Sequence, residues 1–306
     1  HYFYRTTVKK NDEIMNKAVD NKITIHCRAG VPIEKAWQYW TGEEHIVHWN
    51  QAAEEWFTPS AKNDLRPGGR FIYRMEARDG SAGFDFEGEY TVVEKHREIS
   101  SVLGDGRTVK VMFSEEDGET SITETFEAET MNPVEMQRQG WQAILNSFAA
   151  YAGRRSRLNT LHFQTAIKAP AMKVHEVMLS QQHYSEWTSV FNPTSRYEGS
   201  WEKGLEILFL GSEPDGSVGG MVSTIRENIP GKYVGIEHTG FIKNGERIPL
   251  SAEASEWKGA RENYTFAEAE GYTQLSIAVD TVPKYEAYFS ETWPQALELL
   301  KKRCES

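Results

Sequence analysis

Apolar and polar side chains begin to alternate at residue 22. In Lys22-Ile23-Thr24-Ile25-His26-Cys27-Arg28 one face carries Ile23, Ile25 and Cys27, and the other carries Thr24, His26 and Arg28. That period of two predicts a half-buried strand with His26 toward solvent. Pro32 suits the first turn of a helix, and Ala36, Trp37 and Trp40 give that helix an apolar stripe. A second short helix is predicted over Glu43–Trp49. Strands follow, punctuated by turn residues. Pro67-Gly68-Gly69 leads into Phe71, Tyr73 and Met75, and Asp79-Gly80 reads as a hairpin turn. Phe84, Phe86, Tyr90 and Val92 then share one face, opposite Asp85, Glu87 and Glu89. Asp105-Gly106 turns into Val109, Val111 and Phe113, and Asp117-Gly118 into Ile122, Glu124 and Phe126. From 133 to 154 the spacing of Met136, Gly140, Trp141, Ile144, Leu145, Phe148 and Tyr151 is helical.

The second half repeats this plan. Leu161, Phe163, Thr165 and Ile167 alternate as a first strand; Ala171–Leu179 and Gln181–Trp187 read as two short helices. Trp201-Glu202-Lys203-Gly204 stands where the first half has Pro-Gly-Gly, before Leu205, Ile207 and Phe209. Asp215-Gly216 marks a hairpin, and strands are predicted over 221–229, 233–242, 260–269 and 274–279. A last helix is predicted over 284–303, with Pro294 tolerated near its first turn or at a kink. The echoes are local as well. Trp187 follows Pro170 at the spacing at which Trp49 follows Pro32, and Trp293 opens the last helix as Trp141 opens its counterpart. One segment breaks the parallel: 243–258 holds an Asn244-Gly245 turn and a short helical stretch over 251–257.

The pattern describes α+β domains occurring twice, 21–155 and 156–306, after an N-terminal extension of 1–20. In each, a run of antiparallel strands has an apolar face to bury and the long final helix is its cover. A strongly bent sheet around one helix leaves a gap, closed by the short helices, where a ligand would sit.

Composition narrows the classes. The chain has 306 residues and a formal net charge of −11. Its Lys and Arg are dispersed, apart from Arg154-Arg155-Ser156-Arg157 at the junction, which excludes a nucleic-acid grip built on clustered cations. Cys27 and Cys304 lie at opposite ends and form neither a metal spacing nor a disulfide framework. No run of about 18 apolar residues and no signal-peptide pattern is present, so a cytoplasmic protein with reduced thiols is expected. The pattern fixes no oligomeric state.

These motifs together resemble the START-like, or SRPBCC, superfamily, and within it the homologues of the activator of the heat-shock-protein-90 ATPase. The resemblance rests on the opening Ala29-Gly30-Val31-Pro32-Ile33-Glu34-Lys35-Ala36-Trp37, on His48-Trp49, on Asp64-Leu65-Arg66-Pro67-Gly68-Gly69, on Asp79-Gly80 with Gly88-Glu89-Tyr90, and on Gly140-Trp141. It covers 22–152 well and 160–303 more loosely. It implies the helix-grip fold twice over: a curved antiparallel sheet around a long C-terminal helix, with two short helices after the first strand. It carries no reaction, because the superfamily includes co-chaperone domains, lipid and polyketide binders and a few cyclases. No catalytic residue, metal or cofactor is therefore assigned.

Candidate chemistry is sparse. His45 and His48 form an i, i+3 pair, but a zinc site needs three or four ligands and no partner is spaced to join them. Glu237 and His238 are neighbours in a strand, so one of them enters the second gap, where a buried carboxylate would have a raised pKa. Glu124, on the parity of Ile122 and Phe126, raises the same question. Phosphate-loop, nucleophile-elbow, zinc-protease and dinucleotide fingerprints are absent. Asn263-Tyr264-Thr265 spells a glycosylation acceptor but falls in a predicted strand.

Three readings compete. The first is binding of a hydrophobic or amphipathic small molecule between sheet and helix. Its expected lining is Trp37, Trp49, Phe71, Tyr73, Phe84, Phe86, Tyr90 and Trp141 in the first half, and Phe163, Trp187, Phe209, Glu237 and Trp293 in the second. The same aromatics would equally fill a closed core. The second reading is a co-chaperone-like protein-interaction module. The third is a cyclase or hydrolase, which needs at least two facing titratable groups in one pocket.

Overall fold

A computed structural model describes residues 21–249 and 255–306. The expected extension 1–20, and 251–254 of the expected helical stretch, lie outside the described residues.

The first half opens with β1 (Lys22–Ala29), α1 (Ile33–Thr41) and α2 (Glu43–Trp49). Six strands follow: β2 (Trp56–Asn63), β3 (Arg70–Ala77), β4 (Gly83–Glu94), β5 (Glu98–Leu103), β6 (Thr108–Glu116) and β7 (Glu119–Glu127), and then α3 (Val134–Arg155). The second half runs β8 (Asn159–Ile167), α4 (Ala171–Leu179), α5 (Gln181–Trp187), β9 (Arg196–Gly199), β10 (Glu206–Ser212), β11 (Val218–Ile229), β12 (Tyr233–Lys243), β13 (Glu246–Pro249), β14 (Arg261–Ala269), β15 (Tyr272–Thr281) and α6 (Glu286–Glu305). The sheet orders are β1-β7-β6-β5-β4-β3-β2 and β8-β15-β14-β12-β11-β10-β9, antiparallel throughout, with β13 beside β12. Two α+β helix-grip domains therefore stand in tandem.

Each sheet buries one face under its final helix. Leu145, Phe148 and Ala152 of α3 pack on Ile23, Ile25, Ile122 and Phe126; Trp293, Ala296, Leu297 and Leu300 of α6 pack on Ile167, Leu275 and Ile277. The repeated tryptophan does one job in both halves. Trp49 Nε1 donates to the Tyr39 carbonyl at 2.9 Å and Trp187 Nε1 to the Met178 carbonyl at 3.0 Å, tying the second short helix to the first.

The turn that looked lost in the second half is kept in its backbone. Gly68 (φ 78°) donates to the Tyr90 carbonyl at 2.7 Å, and Gly204 (φ 83°) donates to the Ile225 carbonyl at 2.7 Å. The left-handed position keeps its glycine in both turns, while proline was free to change.

Three expectations change, and two edge strands are added that no alternation predicts. The edge strands β2 and β9 carry no clean alternation, and Pro59 inside β2 is tolerated because edge strands need fewer donors. A register shift between Tyr90 and Val92 breaks the parity of β4, so Val93 rather than Val92 packs on the core. Pro294 lies inside α6, well past its first turn. The long segment after β12 forms a hairpin through Asn244 and Gly245 (φ 53° and 76°), adding β13 and a 3-10 turn at Ser255–Trp257. Trp257 packs there with Leu158, Ala260 and Val282, directly under the Ser156–Leu158 connection between the halves.

Candidate ligand cavities

The bent first sheet and α3 enclose a cavity of about 390 Å³. Inward positions of β3, β4, β5 and β6 bring Phe71, Tyr73, Phe86, Tyr90, Ile99, Leu103, Val109 and Val111 to its wall. Trp40 and Trp49, stacked at 4.9 Å, close one side, and Trp141 of α3, stacked on Phe126 at 4.0 Å, closes the other. Trp56 and the exposed Phe84 meet edge to face at 5.9 Å on the wall. Gly140 of α3 faces this space with no side chain, and a Cβ there meets nothing within 4 Å.

The wall is apolar with few exceptions. Tyr73 and Tyr90 hydroxyls lie 3.3 Å apart, and the Tyr90 hydroxyl donates to Asn63 Oδ1 at 2.6 Å. Arg107, on the parity of Val109, is turned toward Asp105 Oδ2 at 2.8 Å and the Glu127 carbonyl at 3.2 Å. Glu124 is different. It is 8% exposed, sits on β7 opposite Ile25 and Val111, and its carboxyl makes no hydrogen bond or ion pair among the described residues. Burial without a partner disfavours the charge and pushes it up to about 8. At neutral pH it is mostly a neutral acid, with one O–H to donate into the cavity.

The second half has a cavity of about 310 Å³ between its own sheet and α6, reached by Tyr184, Trp187, Phe209, Trp257 and Trp293. Glu262 lies on it, pushed up to about 7 by burial, but it already accepts a hydrogen bond from the Tyr264 hydroxyl. His238 also lines it, and burial lowers it to about 4. Its Nδ1 meets Ser223 Oγ at 2.8 Å. Asp280 completes the set, held by Thr160 Oγ1 at 2.7 Å and the Arg261 backbone N–H at 3.0 Å. No two of these three titratable groups hydrogen-bond to each other.

Of the residues expected from the sequence, Trp49, Phe71, Tyr73, Phe84, Phe86, Tyr90 and Trp141 line the first cavity and Trp187, Phe209 and Trp293 the second. Trp37 lies in the core against Phe113 at 5.2 Å, and Phe163 stacks on Trp293 at 5.7 Å; neither lines the first or the second cavity. Glu237 faces away from the second cavity, toward Arg226 at 3.8 Å and Arg261 at 3.4 Å, and His238 takes the inward place. Parity failed there because β12 is buried on both faces across Tyr233, Val234, Gly235 and Ile236. Glu262 was legible, since it shares the parity of the buried Tyr264 and Phe266. His45 gives its ring nitrogen to the Tyr151 hydroxyl at 2.7 Å. Among the described residues no three His, Cys, Asp or Glu side chains cluster to hold a metal, and no helix is long and apolar enough to cross a membrane.

Comparison with known proteins follows the duplication. Residues 30–153 match the family model described as Activator of Hsp90 ATPase homolog 1-like protein. The solution structure of an AHSA1-like protein from Aeromonas hydrophila is 43% identical, covering 44% of this chain and 94% of that one (TM-score 0.43). A solution structure from Cytophaga hutchinsonii is 46% identical, with 44% and 94% covered (TM-score 0.40). A di-domain ARO/CYC from the steffimycin biosynthetic pathway is 11% identical, covering 92% of this chain and 97% of that one (TM-score 0.44). A search of curated proteins finds no match. The identity along nearly the whole of two single-unit relatives, together with the family model, decides the classification: the chain belongs to the AHSA1-like family of START-like proteins, with the helix-grip unit present twice.

Proposed function

We propose that the chain binds a small, largely apolar molecule in the first cavity, with one hydrogen-bond acceptor of that molecule against Glu124. The observation that carries this reading is a neutral, unpartnered acid on the wall of an otherwise apolar space of about 390 Å³. A buried polar group without a partner costs about 1–3 kcal/mol, and a carbonyl or hydroxyl on the ligand recovers that cost. The aromatic wall favours a flat, ring-bearing skeleton. The second cavity is the weaker candidate, because Glu262 already has its partner in Tyr264.

The test is native mass spectrometry of protein purified from its own host, followed by a hydrophobic-ligand thermal-shift screen of wild type and Gly140→Leu. A co-purified small molecule lost from the Gly140→Leu protein supports the reading. An empty wild-type protein that no ligand stabilises refutes it. The enzyme reading has less support, since neither cavity holds two carboxyl or imidazole groups in hydrogen-bond contact with each other. The co-chaperone reading rests on the family description alone, and an Hsp90 ATPase-stimulation assay checks it. The free thiols of Cys27 and Cys304 support a reducing, cytoplasmic setting.

A further inference from the structure

Between the halves lies a third cavity, of about 300 Å³, whose character is opposite to the other two. One wall is the face of the second sheet turned away from α6. The other is α2, the end of α3 and the turn after β3. Four arginines line it, Arg78, Arg154, Arg155 and Arg261, against three carboxylates, Glu44, Glu54 and Asp280, in a chain of formal net charge −11.

Two of the arginines are spoken for. Arg154 pairs with Asp280 at 3.1 Å, and Arg261 with Glu54 and Glu237, each at 3.4 Å. Among the described residues Arg78 and Arg155 have no carboxylate within ion-pair distance. Arg78 donates its Nε–H to the Glu54 carbonyl at 2.8 Å and lies 3.8 Å from the centre of the Tyr233 ring. Arg155 donates once, to the Leu158 carbonyl at 3.2 Å. The remaining guanidinium N–H groups of both have no acceptor among the described residues.

The neutral groups add to this surplus. Asn263 uses its side-chain oxygen to accept from the Tyr233 hydroxyl at 2.9 Å, which leaves its NH2 as donor. His48 and His162 make no hydrogen bond among the described residues. His48 stands exposed on this wall; desolvation and the neighbouring His162 and Arg154 push it down to about 4, so its ring brings one N–H and one acceptor nitrogen. Arg261 Nε is buried with no acceptor at all. Arg261 Nε is a buried donor of the kind that is ordinarily satisfied, and the half-buried Arg78, Arg155 and Asn263 around it present further N–H groups in want of acceptor oxygen.

We propose that this cavity is a second binding site, for a small oxyanion with several acceptor oxygens, a phosphate or a polycarboxylate. Arg78 and Arg155 supply the charge, and His48, His162 and Asn263 supply further N–H donors. Charge-assisted bonds from guanidinium to such oxygens are about twice as strong as neutral ones. Because both halves line the cavity, the anion bridges them across a junction that is already formed. The site is independent of the apolar cavity and stands whether or not that cavity is occupied.

The test uses the full chain and two probes, inorganic pyrophosphate and citrate, each titrated calorimetrically against sodium chloride of equal ionic strength. Saturable binding of at least one probe is expected, with imidazole NMR signals of His48 and His162 shifting to the same endpoint. Arg78→Gln and Arg155→Gln should each weaken it tenfold or more. Arg138→Gln, on α3 outside the cavity, should leave it unchanged. Binding of pyrophosphate alone assigns the phosphate class, and of citrate alone the carboxylate class. Absence of saturable binding overturns the proposal. So does binding that leaves both histidine signals unmoved, a readout on wild type that stands even if an arginine variant fails to fold.

Discussion

Glu124 is a carboxyl whose folded-state pKa, about 8, lies above its ordinary value of 4.5. Between these values the folded chain holds a proton that the unfolded chain has released. Its contribution to stability is therefore fully present below pH 4.5 and is lost as pH climbs to about 8. One unit is worth about 1.4 kcal/mol, so this group alone accounts for a fall of the order of 4 kcal/mol. Glu262, raised to about 7, adds a smaller fall of the same sign. Glu124→Gln keeps the shape and the neutral charge, so urea midpoints of this variant should vary less between pH 5 and pH 8 than those of wild type. At pH 8 it should be the more stable protein by a few kcal/mol; parallel curves for the two would count against a buried neutral acid. The sequence placed Glu124 on the inward face, because alternation reports the side of a sheet. It could not report depth, which comes from β1 and β6 closing over both flanks. At Glu237 and His238 even the side was ambiguous, because the first half covers the outer face of β12 and removes the polar positions that alternation needs.

At the scale of elements, the α3 glycine is the clearest lever. Gly140 lies in mid-helix and a Cβ there meets open space, while glycine in such a position costs about 1 kcal/mol relative to alanine. Gly140→Ala should therefore raise the unfolding free energy by about that amount in a denaturant titration, with no change in fold. The neighbouring β2–β3 turn has no such latitude. A Cβ on Gly69 would lie 2.0 Å from the Asp64 carbonyl oxygen, so Gly69→Ala must shift the backbone and should lower the thermal midpoint clearly, where Gly140→Ala raises it. Helices and inner strands were legible from the chain because their periods are strict. The edge strands β2 and β9 were not, because an edge satisfies only half its ladder and tolerates Pro59 or a four-residue length. The polar junction was illegible as a site, because its residues come from six elements and two loops and no local spacing connects them.

At the scale of the molecule, the halves are joined by charge as well as by chain. Glu54 reaches Arg226 at 3.5 Å and Arg261 at 3.4 Å, Glu55 meets Lys203, and Arg154 meets Asp280. Exposed pairs among these contribute little. Arg154 and Asp280 are mostly buried, with side chains 14% and 7% exposed. Removing one partner of a buried pair strands the other, at about 3–5 kcal/mol. Asp280→Ala should cost that much, and should split a single calorimetric unfolding transition into two as the halves lose their coupling. A one-step transition at unchanged temperature would show that the pair contributes nothing to the junction.

The hairpin after β12 has its consequence here. Trp257 wedges beneath Leu158, and Arg157 donates to the Lys258 carbonyl at 3.1 Å. The connection between the halves is thus a seized hinge, and the molecule should tumble as one rotor. Residual dipolar couplings from both halves should fit a single alignment tensor in wild type and two in Trp257→Ala. A ligand that reaches the junction would then meet a mould already set, with no swing of one half against the other to wait for.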